Sequence, residues 1–175
     1  MNLAQTALGL RDYIQSWRRR LHQYPELSLQ EVQTTQALAE ELDRLGIPVI
    51  RFPGHTGLIG VIAGSFPGKT VLLRADIDAL PIRENTGLPY AAQNGAMHAC
   101  GHDCHAAMLL GAARLLLEHD APLTLTETDD GGPVIPNELD PALYPALLAA
   151  RTASIRLAQD RARPVADRLA LILLL

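Results

Sequence analysis

Leu3, Ala7, Leu10, Ile14, Trp17 and Leu21 recur at helical spacing, with polar and charged residues between them. This period predicts one amphipathic helix over residues 3–22, closed by Tyr24-Pro25. Ser28 and Glu31 form an S-x-x-E pattern, which reads as a capping box. Behind it, Val32, Thr35, Leu38, Leu42 and Leu45 mark a second helical face, and Gly46 supplies its stop. After Gly46 the texture changes. Ile47–Phe52, Leu58–Ala63 and Thr70–Ala75 are short β-rich runs, and residues 64–69 between the last two form a turn of hairpin type. Residues 79–97 hold Pro81, Gly87, Pro89 and Gly95 and read as a long loop, a feature usually functional or disordered in a compact domain. From about Asp103, a third helix is marked by Ala106, Leu109, Leu110, Ala113 and Leu116 or Leu117.

Near residue 120 the character shifts again. Residues 123–132 begin as a strand would and pass into Thr, Asp and Gly, and residues 142–163 carry a weak helical period through Leu147, Arg151, Ile155 and Ala158, stopped by Pro164. The expected division is therefore a main unit over 1–120 and an atypical tail over 121–175, mostly helical or irregular, either out of frame or poorly ordered.

Composition narrows the classes. At 175 residues and 48% apolar content, the chain can bury a core, and with aromatics at 4% that core must be aliphatic. A net charge of −4 with mixed signs offers no basic stripe, so no nucleic-acid partner is expected. Arg18, Arg19 and Arg20 read as a solvated helix face, and His22 and Glu26 as structural. No apolar run reaches membrane-spanning length, residues 169–175 included, and no signal peptide is evident, so no membrane partner and a cytoplasmic location are expected.

Chemistry concentrates in two segments. Asp76 and Asp78 follow a strand-like run, and alternation would put both carboxylates on one face at its end. From His98 to His105, three histidines and two cysteines fall within eight positions. If that stretch is extended, Cys100 and His102 point the same way, and a thiolate beside an imidazole suits zinc or a similar divalent ion. Asp103 would cap the third helix. Bland readings exist for each part. An Asp-x-Asp after a strand is often a turn, and Cys100 and Cys104 could be ordinary thiols or a redox pair. Their Cys-x-x-x-Cys spacing is not the usual redox one. The density of the cluster favours a metal.

The runs RRLHQYPELSLQE (19–31), LLRADIDALPI (72–82) and GAMHACGHDCHAAMLLGAA (95–113) resemble the amidohydrolase branch of the aminoacylase/carboxypeptidase-G-type zinc metallopeptidases. That branch includes hippurate hydrolase, N-acyl-amino-acid amidohydrolases and indoleacetyl-amino-acid hydrolases. The resemblance covers about residues 10–119. It implies an α/β fold, here the N-terminal part of a di-zinc exopeptidase-like catalytic domain with a mixed sheet flanked by helices. It implies a site for two divalent ions, zinc or manganese, with cobalt or nickel also suited. By motif, Cys100 and His102 look like metal ligands, and Asp78 matches the catalytic-site aspartate that orients a ligand. The implied reaction is metal-assisted hydrolysis of a small N-acyl amino acid, in which a glutamate base handles the water's proton.

The chain also departs from the family pattern. Complete members run a strand after the third helix into Pro-Ala-Glu-Glu, whereas residues 121–130 here hold only Glu127 and no paired glutamate. No histidine follows His119, and the domain through which the family homo-oligomerises is missing. The expected function is a metal-dependent amidohydrolase, truncated and with reduced or no activity alone. The alternative is a non-catalytic metal-binding or interaction fragment.

Overall fold

The structure, a computed structural model, describes residues 3–64, 71–118 and 168–174. Helices α1 (Leu3–Gly9), α2 (Arg11–Gln23) and α3 (Val32–Arg44) come first. Strands β1 (Val49–Arg51), β2 (Leu58–Ala63) and β3 (Val71–Asp76) follow, then helix α4 (His102–Glu118) and strand β4 (Arg168–Leu174). This is the α/β architecture expected, a mixed sheet with helices. The residues expected to carry a tail helix, 142–163, and a tail strand, 123–132, lie outside those described.

Three local expectations are corrected. The single helix over 3–22 is two, because Gly9 is a poor helix former and Leu10 leaves the helical path in a tight turn, its N–H donating to the Ala7 carbonyl at 3.1 Å. The capping box does not form. Leu29 takes a left-handed conformation at φ 64°, so the chain is not helical there and α3 begins only at Val32, with Glu31 in the N-cap position. Its exposed donors are met from further back, since Glu26 Oε1 accepts the Gln33 N–H at 3.1 Å and Oε2 the Thr34 N–H at 2.7 Å. The other end of α3 fits the sequence reading. Gly46, at φ 74°, donates to the Asp43 carbonyl at 2.9 Å, and Ile47 donates to Leu42 at 2.9 Å, the paired closure that a glycine permits.

The third correction is topological. The strand order is β1-β2-β4-β3. β1 pairs antiparallel with β2, but β2 and β3 do not form the hairpin that the turn-rich residues 64–69 suggested. β4 lies between them, antiparallel to β2 with Leu58 opposite Leu173, and parallel to β3 with Asp76 opposite Leu174. An apolar run with no charge between Leu169 and Leu174 suits a strand with a neighbour on both edges, and the end of the tail is thus a strand instead of helix or irregular chain.

The core joins α2, α3, α4 and the sheet through Trp17, Leu21, Leu38, Leu42, Leu58 and Leu110, all buried. α4 turns its small residues inward, with Ala106, Ala107 and Ala113 buried. A Cβ on Gly111 would sit 2.6 Å from Ile14 Cδ1, so the bare glycine leaves room for the Ile14 side chain between α2 and α4. The start of α4 meets the end of α2 through Asp103 and His22, 2.7 Å apart, and the chemistry lies there.

Loss of the cap is the direct test of this entry into α3. Glu26→Ala should lower unfolding stability by about 1 kcal/mol, within the range for lost helix caps, while Ser28→Ala should change it by less than about 0.5 kcal/mol. Urea unfolding of both variants beside the parent reads the difference.

Candidate metal centre

The two halves of the candidate site are far apart in sequence and are joined by one pair of backbone hydrogen bonds. Leu80 N–H donates to the Met97 carbonyl and Met97 N–H to the Leu80 carbonyl, each at 3.0 Å. This reciprocal pair closes the 79–97 loop at its neck. The Ala79 N–H is held by the Glu26 carbonyl at 2.8 Å, which ties the neck to the chain before α3. The segment leaving β3 and the segment entering α4 are therefore side by side.

The entry to α4 is a turn, not the extended stretch expected. Gly101 N–H donates to the His98 carbonyl at 3.2 Å, and Gly101 sits at φ 90°, a backbone conformation that side-chain-bearing residues rarely adopt. The turn still brings both proposed ligands to one place. Cys100 Sγ lies 3.8 Å from the Asp78 carbonyl oxygen, and His102 Nδ1 lies 3.1 Å from the same oxygen. Asp78 Oδ1 is 2.7 Å from His102 Nδ1. On the other side of the ring, His102 Nε2 is 3.9 Å from Asp76 Oδ2, and Asp76 Oδ1 is paired with Arg74 at 2.6 Å. Asp76 and Asp78 thus both face His102.

The donor chemistry suits one half of a divalent-ion site. A carboxylate accepting from Nδ1–H selects the tautomer that leaves the Nε2 lone pair free to ligate, the usual support for a metal-bound histidine. Cys100 adds an exposed sulfur. Among the described residues, however, no three His, Cys, Asp or Glu side chains converge closely enough to hold an ion. The residues fit two ligands and their support. His105 lies beside this pair, its ring centroid 5.7 Å from that of His102.

Cys104 has a different setting. It is free, like Cys100, and burial pushes its thiol up, with Asp103 adding to the effect. That keeps it protonated and counts against a redox pair. His98 is buried with neither ring nitrogen hydrogen-bonded, and burial drives its imidazole toward the neutral form against the pull of Asp103.

Beneath the site is a charged cluster that the sequence did not reveal. His22 Nδ1 is 2.7 Å from Asp103 Oδ2, and His22 Nε2 is 3.1 Å from Glu84 Oε1. Arg18 Nε approaches the same Asp103 oxygen at 2.9 Å, and Arg18 donates to the Tyr90 hydroxyl at 3.1 Å. The guanidinium groups of Arg18 and Arg19 lie over the Tyr90 ring at 5.4 and 5.3 Å, and that of Arg20 over Trp17 at 4.9 Å. The arginine run is therefore engaged, not merely a solvated face. Asp103 does not cap α4 from outside it. It lies one residue inside, with Oδ1 accepting the Cys104 N–H at 2.9 Å. Arg18 and His22 stand four apart on α2, a spacing visible in the sequence, but Glu84 in the loop gave no signal.

Comparison with known proteins returns the family that the motifs resemble. Residues 72–129 match Peptidase family M20/M25/M40. Thermostable carboxypeptidase 1 of Saccharolobus solfataricus is 52% identical over 112 residues, 63% of this chain and 28% of that protein. N-acetyl-L-cysteine deacetylase of Bacillus subtilis is 54% identical over 107 residues, 61% of this chain and 26% of that protein. The chain spans about a quarter of the length of these relatives. Among solved structures, a Bacillus subtilis dinuclear metal binding peptidase from the M20 family matches with a TM-score of 0.60 and 45% identity, over 63% of this chain and 31% of its own. A Staphylococcus aureus protein named as an aminohydrolase matches with a TM-score of 0.68 and 31% identity, over 98% of this chain and 33% of its own. Among the described residues no helix is long and apolar enough to cross a membrane.

Glu84 sets an acid limit on the structure. Burial works against its charged form, but the Thr86 hydroxyl, the Ala92 N–H and His22 outweigh it and bring the carboxyl down to about 2. An unfolded glutamate titrates near ~4.3. A depressed native value stabilises the fold fully above the unfolded value, and that stability is lost as the pH falls toward about 2. Urea unfolding followed from pH ~5 to ~2 should therefore decline more steeply in the parent than in Glu84→Gln.

Proposed function

We propose that this chain carries the thiolate–imidazole half of a divalent-metal centre serving hydrolysis of the amide bond in small N-acyl amino acids. One observation carries this reading: Asp78 Oδ1 lies on His102 Nδ1 at 2.7 Å while Cys100 Sγ stands near the same aspartate's carbonyl. The names of relatives support the chemistry. One is an N-acetyl-L-cysteine deacetylase, another an N-acyl-L-amino acid amidohydrolase of Geobacillus stearothermophilus, and a structural neighbour is a dinuclear metal binding peptidase.

In this reading Cys100 and His102 are the ligands, and Asp78 holds the His102 ring in the ligating tautomer. Asp76, kept in place by Arg74, keeps negative charge close to His102 Nε2 and favours a cation there. When bound, a divalent ion supplies Lewis acidity toward the scissile carbonyl and the attacking water at neutral pH. Zinc and manganese head the candidates, and cobalt and nickel suit the same donors.

The described residues contribute two ligands and no glutamate positioned as a base. Absence of a positioned base typically costs on the order of a hundredfold to ten-thousandfold in rate. Hydrolysis by this chain alone is accordingly proposed to be weak or absent, with metal binding its measurable property.

Cobalt(II) added to the purified chain should produce a sulfur-to-cobalt charge-transfer band. Cys100→Ser should abolish the band, and His102→Ala should weaken cobalt binding at least about tenfold. In the same preparation, N-acetyl and N-benzoyl amino acids should be hydrolysed slowly or not at all, and any turnover should vanish on chelation. A chain that shows neither the band nor chelator-sensitive hydrolysis would sink the proposal.

A further inference from the structure

We infer that His22 and Glu84 are positioning residues for the Cys100–His102 ligand pair, acting through Asp103. This rests on the metal reading proposed above and extends it to residues outside the motif.

Asp103 is adjacent in the chain to His102. Its side chain is buried, and its oxygens divide their work. Oδ1 accepts the Cys104 N–H at 2.9 Å, shared with the Gly101 carbonyl at 2.9 Å, and so adds to the hold on the first turn of α4. Oδ2 faces His22 at 2.7 Å and Arg18 at 2.9 Å. The rotamer of Asp103, and with it the direction in which the first turn leaves Gly101, is thus set by groups on α2.

His22 reaches the other way as well. Its second ring nitrogen meets Glu84 at 3.1 Å, and Glu84 Oε2 accepts the Ala92 N–H at 2.6 Å, inside the 79–97 loop. Each ring nitrogen of His22 thus faces a carboxylate, and Arg18 Nη2 also lies 3.4 Å from Nδ1. Tyr90 closes the side of the cluster, edge-on to His22 with ring centroids 5.7 Å apart. One imidazole therefore bolts the loop that leaves Asp78 to the helix turn that carries His102. Those are the two pieces whose relative placement sets the 2.7 Å contact between Asp78 and His102.

This is more than a buried ion pair that helps the chain fold. A pair serving stability alone could lie anywhere, and replacing such pairs by apolar groups is often neutral. Here the two carboxylates come from the two segments that must be held in register, and the ring joining them comes from a third.

The test compares cobalt(II) affinity of the parent, His22→Gln, Glu84→Gln and Tyr13→Phe. The last removes the 2.6 Å hydrogen bond from Tyr13 to Glu41, remote from the site, and serves as a stability control. Amide hydrogen exchange at Cys104 is followed in parallel. His22→Gln and Glu84→Gln should weaken cobalt binding by about ten- to a hundredfold, the range for lost outer support of metal ligands, and speed exchange at Cys104. Tyr13→Phe should lower the melting temperature and leave both readouts unchanged. If His22→Gln does not fold, the near-isosteric Glu84→Gln decides. Parent-like affinity in the folded variants overturns the inference while leaving the metal reading intact. Failure of the parent to take up cobalt overturns the metal reading, and the Cys104 exchange rate then decides whether His22 and Glu84 hold the turn.

Discussion

The contact between Asp78 and His102 is where the architecture of this chain becomes chemistry. One partner stands just past the end of β3, the other at the first residue of α4, and 2.7 Å separates them. Nothing local in sequence enforces that distance. It follows from the Leu80–Met97 neck, which returns the chain to its starting point, and from the glycine turn that redirects it into a helix. The start of α4 is also tied to α2, where Asp103 lies 2.7 Å from His22. Shift any of these by a residue and the imidazole loses the carboxylate that selects its tautomer.

Two kinds of interior meet at this point. The aliphatic core under α3 and β2 is built of Leu38, Leu42, Leu58 and Leu110, whose packing is sensitive to volume but indifferent to charge. Next to it, Arg18, His22, Glu84 and Asp103 form a second interior in which charge, not volume, is balanced. Such groups are expensive to bury and add little net stability, but each can be satisfied only in one arrangement. The apolar part makes the fold favourable, and the charged part links the α4 entry to α2 and to the 79–97 loop.

How much of this could be read from the sequence depended on how local the determinant was. The helical faces of α2 and α3, the Gly46 stop and the pairings of Asp76 with Asp78 and of Cys100 with His102 follow from spacing, whereas the meeting of the two pairs was implied only by the resemblance of the motifs to a family. Where the partner came from elsewhere, local patterns misled. Ser28 and Glu31 had the right spacing for a capping box, but the turn at Leu29 delayed the helix and Glu26 met its donors instead. The turn-rich residues 64–69 suggested a hairpin, but strand adjacency is decided by what else can enter the sheet. Glu84 looked like one more loop carboxylate, because its significance lies in His22, on a helix that precedes it by three strands. That Cys100 and His102 come to one place was legible, although by the wrong geometry: an extended stretch was expected where a turn brings both to the Asp78 carbonyl.

The place of β4 bears on how this sheet comes into being. In a sheet of order β1-β2-β4-β3 the β1–β2 pair can form from its short connection, but β3 cannot join by a turn from β2, because β4 lies between them. Their shared ladder waits on residues 168–174, which emerge from the ribosome long after both strands have been made. Closure of that gap is a non-local step, slow for entropic reasons. Until it happens, the facing edges of β2 and β3 are open templates for any other strand, so the newborn chain is most exposed to misassociation while its middle strand is still to be synthesised.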